Sequence, residues 1–209
     1  MRCSPRPSLL ASALAALLVA LPVATPAAAQ LNVALGRPVT LVGTFGVLRP
    51  ASGWDPADPP AAASTVVDGV FRPEGTLWTQ GTVWWDAAVQ GSTNNAIIVD
   101  LGSSRNITAV TLQADDNDFY QLAYRVGAAD PWTVLGNFGA PGGFGMVTRG
   151  PLPTAFTASQ IRLMGVGGDG FYSVSEFQAI VATPEPASVA LLATGLAGIG
   201  LAGWRRRAR

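Results

Sequence analysis

The chain has 209 residues, 49 % of them hydrophobic, with 13 basic and 13 acidic side chains, one cysteine and no histidine. Without histidine there are no His-based triads, no imidazole general bases and almost no route to a zinc site. That length suits one modest domain with short accessory segments.

The first accessory is residues 1–29. A basic start, "MRCSPRP", leads into the apolar "SLLASALAALLVALPVA" and then "TPAAAQ", where Ala27 and Ala29 form the small-x-small pattern of a signal peptidase site. The reading is an N-terminal signal peptide helix, with Gln30 as the first mature residue. Cys3 lies ahead of the apolar stretch, so it is not a lipidated cysteine, and it leaves with the signal. The mature chain then has no thiol for disulfides or metal. Residues 30–183 carry seven arginines against twelve acids, an acidic exported domain that lacks the cationic face nucleic acid requires.

From residue 30 to 182 the pattern is of short strands punctuated by Gly, Pro and Asp. In chain order the expected strands are 37–43, 95–102, 106–114, 120–127, 132–138, 145–149, 159–166 and 172–182, with no amphipathic helix of useful length. Such a series predicts an all-β sandwich. "YQLAYRVG" alternates most clearly, setting Tyr120, Leu122, Tyr124 and Val126 on one face. "AIIVDL" is nearly continuous in apolar residues, as a central strand is, with Asp100 and Gly102 ending it in a turn. Residues 48–62, with four prolines, read as a long irregular surface loop. "FGAPGGFG" (138–145) is a second loop, glycine-rich but without the Lys-Ser/Thr of a phosphate-binding loop.

The chain closes on Pro184-Glu185-Pro186, an apolar run from Ala187 to Trp204, and a basic cluster of Arg205, Arg206, Arg207 and Arg209. Those 18 uncharged residues make about 27 Å of helix, close to a hydrocarbon core of roughly 30 Å. They predict a C-terminal transmembrane helix at 187–204, with the arginines cytoplasmic and the preceding domain outside. The ordered triplet of motif, apolar helix and Arg cluster resembles the PEP-CTERM sorting signal of Gram-negative, exopolysaccharide-producing bacteria. The resemblance implies that residues 183–209 are an address read by an exosortase, cut near Pro184–Pro186, and an anchor in the membrane only before processing.

Four segments in order resemble discoidin domains, also called coagulation-factor type C domains: "NVALGRPV" from Asn32, Val67-Asp68-Gly69 followed by Trp78, "IIVDLGSSRNITAVTLQ", and "SEFQ" at 175–178. The resemblance spans about residues 31–182. It implies a jelly-roll, galactose-binding-like β-sandwich that binds carbohydrate or another surface ligand through loops at one end. The disulfide of many animal members and the sugar-contacting histidine of many bacterial ones are missing here. Asp68 and Glu176 match by position the acids around a structural calcium in that family, which would add backbone carbonyls of the 66–70 turn to reach six to eight oxygens.

Other constellations come from the residues themselves. Asp115, Asp116 and Asp118 are spaced like the start of a calcium loop, without the Gly at position six or the Glu at position twelve of an EF-hand. They read as a second ion or sugar-hydroxyl site, or as a solvated turn. Trp54, Trp84, Trp85, Phe144 and Tyr172 are candidates for stacking on sugar rings, or for the core of a sandwich without disulfides. No two carboxylates stand out as a glycosidase pair. The expected protein is therefore not an enzyme. It is an exported cell-surface or extracellular-matrix protein that binds carbohydrate or exopolysaccharide, or alternatively a structural matrix or envelope component without a sugar pocket.

Overall fold

A computed structural model describes residues 30–54, 58–89 and 94–182. Ala29–Thr183 form one compact unit, and residues 1–29 and 183–209 lie outside the described residues. The expected signal peptide, the Pro184–Pro186 motif, the expected helix at 187–204 and the arginine cluster all fall in those segments. Among the described residues no helix is long and apolar enough to cross a membrane.

The unit is all-β and antiparallel. Its strands are β1 (Gln30–Asn32), β2 (Val39–Val42), β3 (Val83–Asp86), β4 (Ala96–Asp115), β5 (Phe119–Arg125), β6 (Thr133–Phe138), β7 (Met146–Gly167) and β8 (Phe171–Ala182), with one 3-10 turn at Ala63–Val67. They hydrogen-bond in the order β1-β8-β4-β7-β5-β6, with β2 added to β4 and β3 to β8.

Two long strands turn this ladder into a sandwich. The first part of β4, Ile97–Asp100, pairs with Leu163–Gln160 of β7, and its second part, Arg105–Asp115, pairs with Ala158–Met146. The later half of β7 also pairs with β5, whereas the later half of β4 pairs with β8. Each long strand thus passes from one layer to the other. The register breaks between Asp100 and Arg105, where Gly102 adopts φ 77° and its amide donates to Asp100 Oδ1 at 2.8 Å. Asp100 and Gly102 therefore do not end a strand. They form a bulge that bends one, which is what a left-handed glycine inside a ladder permits.

Ile97, Val99, Leu122, Ile161 and Leu163 of one layer and Val110, Leu112, Val174, Phe177 and Ala179 of the other belong to one buried cluster. Each large side chain removed from water contributes about 1.5–3 kcal/mol before entropy is counted. Tyr120 and Leu122 point into this core as the alternation predicts, and Tyr124 packs against it. Val126 does not: it lies past the end of β5 and is exposed.

The antiparallel pairings bring three connections to one end. Met146 faces Asp115, Phe119 faces Gly167, and Tyr120 faces Phe138. The β4–β5, β6–β7 and β7–β8 turns consequently emerge side by side.

Candidate functional site

These turns, with the loop bearing Trp54 and the segment around Trp78, enclose a cavity of ≈ 180 Å³. Its wall consists of Trp54, Leu77, Trp78, Asp115, Asp116, Asn117, Gly143, Phe144, Gly145 and Asp169. The rim is aromatic and exposed: Trp54 keeps 43 % of its surface open and Phe144 66 %. Trp54 is braced edge-on by Trp78, with ring centres 5.7 Å apart, and by Phe171 at 6.4 Å.

Backbone and amide contacts lock the turns together. Asn117 Nδ2 donates to Asp169 Oδ2 at 3.0 Å, and the Phe171 amide donates to Asp169 Oδ1 at 2.8 Å. The Gly142 amide donates to the Asp116 carbonyl at 3.0 Å, and the Met146 amide to the Thr76 carbonyl at 2.8 Å. Gly145, at φ 65°, lets the β6–β7 loop lie against Thr76, where any Cβ would collide with the carbonyl.

The floor is acidic. Asp115 is buried, and its carboxyl is pushed up to about 7, first by desolvation and then by repulsion from Asp116 and Asp169; the Asp116 amide and Arg149 only partly oppose this. Asp118 lies behind it, wholly buried. Neither of its oxygens reaches hydrogen-bonding geometry, and its carboxyl rises to about 8 through burial and the nearby Asp169 and Asp115; the Asp169 amide and Arg149 pull it back only partly. Gly168, at φ 120°, is what allows the β7–β8 turn to press onto the Asp118 carboxyl.

Arg149 is beside these acids but does not pair with them. Its Nε donates to the Gly139 carbonyl at 2.9 Å, its Nη2 donates to the Asp115 and Asp118 carbonyls, and its guanidinium stands 5.3 Å from the Tyr120 ring centre. Among the described residues the ion pair is Arg49–Asp86, outside this cavity.

The structure thus brings Trp54, Asp115 and Asp116 together in one wall, with Asp118 behind. Phe144 joins them, as do Asn117, Trp78 and Asp169, which the strand pattern did not single out. The "GGDG" turn at 167–170 was the available signal for Asp169, one acid among glycines between two strands. Trp84, Trp85 and Tyr172 require correction as ligand-binding residues. β3 pairs with β8 so that Trp84 faces Ser173 and Trp85 faces Tyr172, and the three aromatic residues are 1 %, 1 % and 5 % exposed. Trp85 stacks on Tyr172 at 5.3 Å, and Trp84 abuts Trp78 at 5.5 Å. Rings committed to the core have no face for a sugar.

Asp68 and Glu176 meet at a different place. Glu176 is wholly buried, accepts the Gly69 amide at 3.1 Å and Gln178 Nε2 at 3.4 Å, and is pushed up to about 7, chiefly by burial. Asp68 caps its own turn by accepting the Val70 amide at 2.8 Å. Among the described residues no three Asp, Glu, His or Cys side chains converge as a metal-holding group. Calcium at Asp68 and Glu176 would therefore draw most of its oxygens from backbone carbonyls, and the Asp115, Asp116 and Asp118 run does not form a carboxylate cage.

A second cavity of ≈ 160 Å³ lies on the flank, between Val110, Leu122, Leu135, Phe138, Leu152 and neighbouring backbone. It has no titratable group and no exposed ring.

Residues 182–207 match the PEP-CTERM protein-sorting motif. No curated protein matches the chain. Among solved structures it is similar to chitosan-binding module 1 of a chitosanase/glucanase from Paenibacillus sp. IK-5, at 22 % identity over 72 % of this chain and 98 % of that one, TM-score 0.45. It is also similar to a Clostridium perfringens module in complex with GlcNAc-α-1,4-galactose, at 11 % identity over 75 % and 97 %, TM-score 0.48. The lectin domain of lectinolysin, complexed with Lewis B antigen, aligns at 16 % identity over 73 % and 97 %, TM-score 0.48.

Proposed function

We propose that this is an exported cell-surface protein that binds polysaccharide without transforming it, through the cavity at the turn end of the sandwich. The observation that carries the reading is the pairing of two exposed rings, Trp54 and Phe144, with the polar edges of Asp116, Asn117 and Asp169 in one concavity. A sugar ring has an apolar face and a polar rim, and that combination holds both. At ≈ 180 Å³ the cavity is smaller than the roughly 300–1,000 Å³ clefts that enclose drug-sized ligands, as suits a grip on one unit of a longer chain.

The PEP-CTERM motif supplies the address. An exosortase would read it at the inner membrane and release or transfer the folded domain to the surface or matrix. Exopolysaccharide is the ligand nearest such a destination.

The test is a glycan array probed with the full chain, its Trp54→Ala variant and Trp132→Ala as control, since Trp132 lies off the cavity between Arg125 and Arg162. The reading expects wild type and Trp132→Ala to retain the same glycans and Trp54→Ala to lose them. Array-wide silence would leave the protein a structural matrix component.

Calcium enters through Glu176, a buried acid with no cationic partner among the described residues. Asp68 and Glu176 would hold the ion, which would supply the positive charge that keeps Glu176 ionised.

A further inference from the structure

We infer that the cavity selects positively charged amino sugars, the glucosamine units of a deacetylated glycan, over neutral and acidic ones. The inference rests on the carbohydrate reading and adds the charge of the ligand to it.

Asp115, Asp116 and Asp169 stand on the wall with Asp118 behind, and no arginine belongs to that wall. The neighbouring cation, Arg149, spends its Nε and Nη2 on backbone carbonyls and faces Tyr120, so these carboxylates have no ion pair among the described residues. Carboxylates gathered in this way repel one another. A ligand ammonium relieves the repulsion and favours the ionised form of these acids, bringing them one positive charge and three N–H donors. The exposed faces of Trp54 and Phe144 also attract a cation.

A separate observation indicates an occupant. Trp78 is 3 % exposed, forms part of the same wall, and its buried indole N–H has no acceptor in the protein. Buried donors are ordinarily satisfied, so an unpartnered one on a residue of the cavity wall is matched to an oxygen that arrives with a ligand. A sugar hydroxyl beside the amine supplies it. A uronate meets carboxylates with a carboxylate and is repelled, and N-acetylation removes the charge on which the preference depends.

The experiment is titration calorimetry of the full chain with three oligomers of equal length: β-1,4-linked glucosamine, N-acetylglucosamine and galacturonate. It is done slightly below neutral pH, where the amine is protonated, at low and at raised salt. The expected result is glucosamine binding about tenfold or more tighter than N-acetylglucosamine, a gap that narrows with salt, and no galacturonate binding. Asp115→Asn keeps the side-chain volume and removes a group that is already costly to ionise there. It is expected to fold at least as stably and to lose the glucosamine preference. Equal binding of glucosamine and N-acetylglucosamine overturns the charge inference and leaves the carbohydrate reading standing. Preference for galacturonate, or binding of other glycans on the array with none of these oligomers, overturns it as well. Silence in calorimetry and on the array removes both.

Discussion

Asp86 and Asp118 are both wholly buried, and the protein treats them in opposite ways. Asp86 closes β3 with its oxygens occupied: Oδ2 accepts the Arg49 amide at 2.9 Å and Arg49 Nε at 2.8 Å, while Oδ1 accepts the Ala88 amide at 2.9 Å. Asp118 has neither oxygen in hydrogen-bonding geometry, lies near Asp115 and Asp169, and stands behind the cavity wall. A buried acid with its donors in place ties a loop to a strand. One buried among other acids is a local cost, and proteins tend to carry such costs where a ligand offsets them.

The sharpest way to break this comparison is to remove each acid in turn. Asp86→Ala should lose about 2–4 kcal/mol of folding free energy in denaturant titration, because the Arg49 and Ala88 donors are left without their acceptor. Asp118→Asn should cost nothing at mildly alkaline pH and should stabilise the ligand-free protein there. If both variants were equally damaging, the distinction would be lost.

Trp54→Ala should weaken glycan binding by about tenfold or more while moving the thermal midpoint little, since so much of the ring is already in water. A large drop in midpoint would make Trp54 a core residue.

The pH dependence follows from the same acids. Asp115 and Asp118 titrate near 7 and 8 in the folded chain against the ordinary 3.8, and Glu176 near 7 against 4.5. The folded state therefore holds more protons than the unfolded one between about pH 4 and 8, and stability is lost as pH rises through that window. The groups facing the Asp115–Asp118 pair are Asp116, Asp169, Arg149, Tyr120 and Tyr172. The thermal midpoint of the ligand-free chain should fall from about pH 5 to about pH 8, less steeply in Asp118→Asn. A midpoint that rises over this range would contradict the account. The smallest effect is calcium: millimolar calcium should raise the midpoint of the wild type modestly and leave Glu176→Gln unmoved.

How much of this was legible in the sequence depended on whether the signal was local. The alternation of Tyr120 and Leu122 is written in β5 itself, and both point inward. Strand continuity was not legible: Asp100-Gly102 and Pro151-Leu152-Pro153 carry turn residues, yet β4 and β7 run through them because register shifts absorb the irregularity. β1 and β3 were missed, being three and four residues long and defined by their partner β8. The same blindness made Trp84 and Trp85 look like binding residues, since only the pairing with β8 reveals that they are interior. The cavity was half legible. Trp54 in its proline-rich loop and the Asp115–Asp118 run are visible, but Asp169 joins them only once β7 doubles back to β5.

The central claim is that the turn end of the sandwich is the binding face. Its most direct test is amide chemical-shift mapping of the isotope-labelled full chain during titration with a glucosamine oligomer. The account predicts shifts concentrated at Asp115–Asn117, Gly143–Gly145 and Asp169, with the indole N–H of Trp78 moving as it gains an acceptor. Shifts centred instead on the Leu135–Leu152 flank, with the turn end silent, would contradict it.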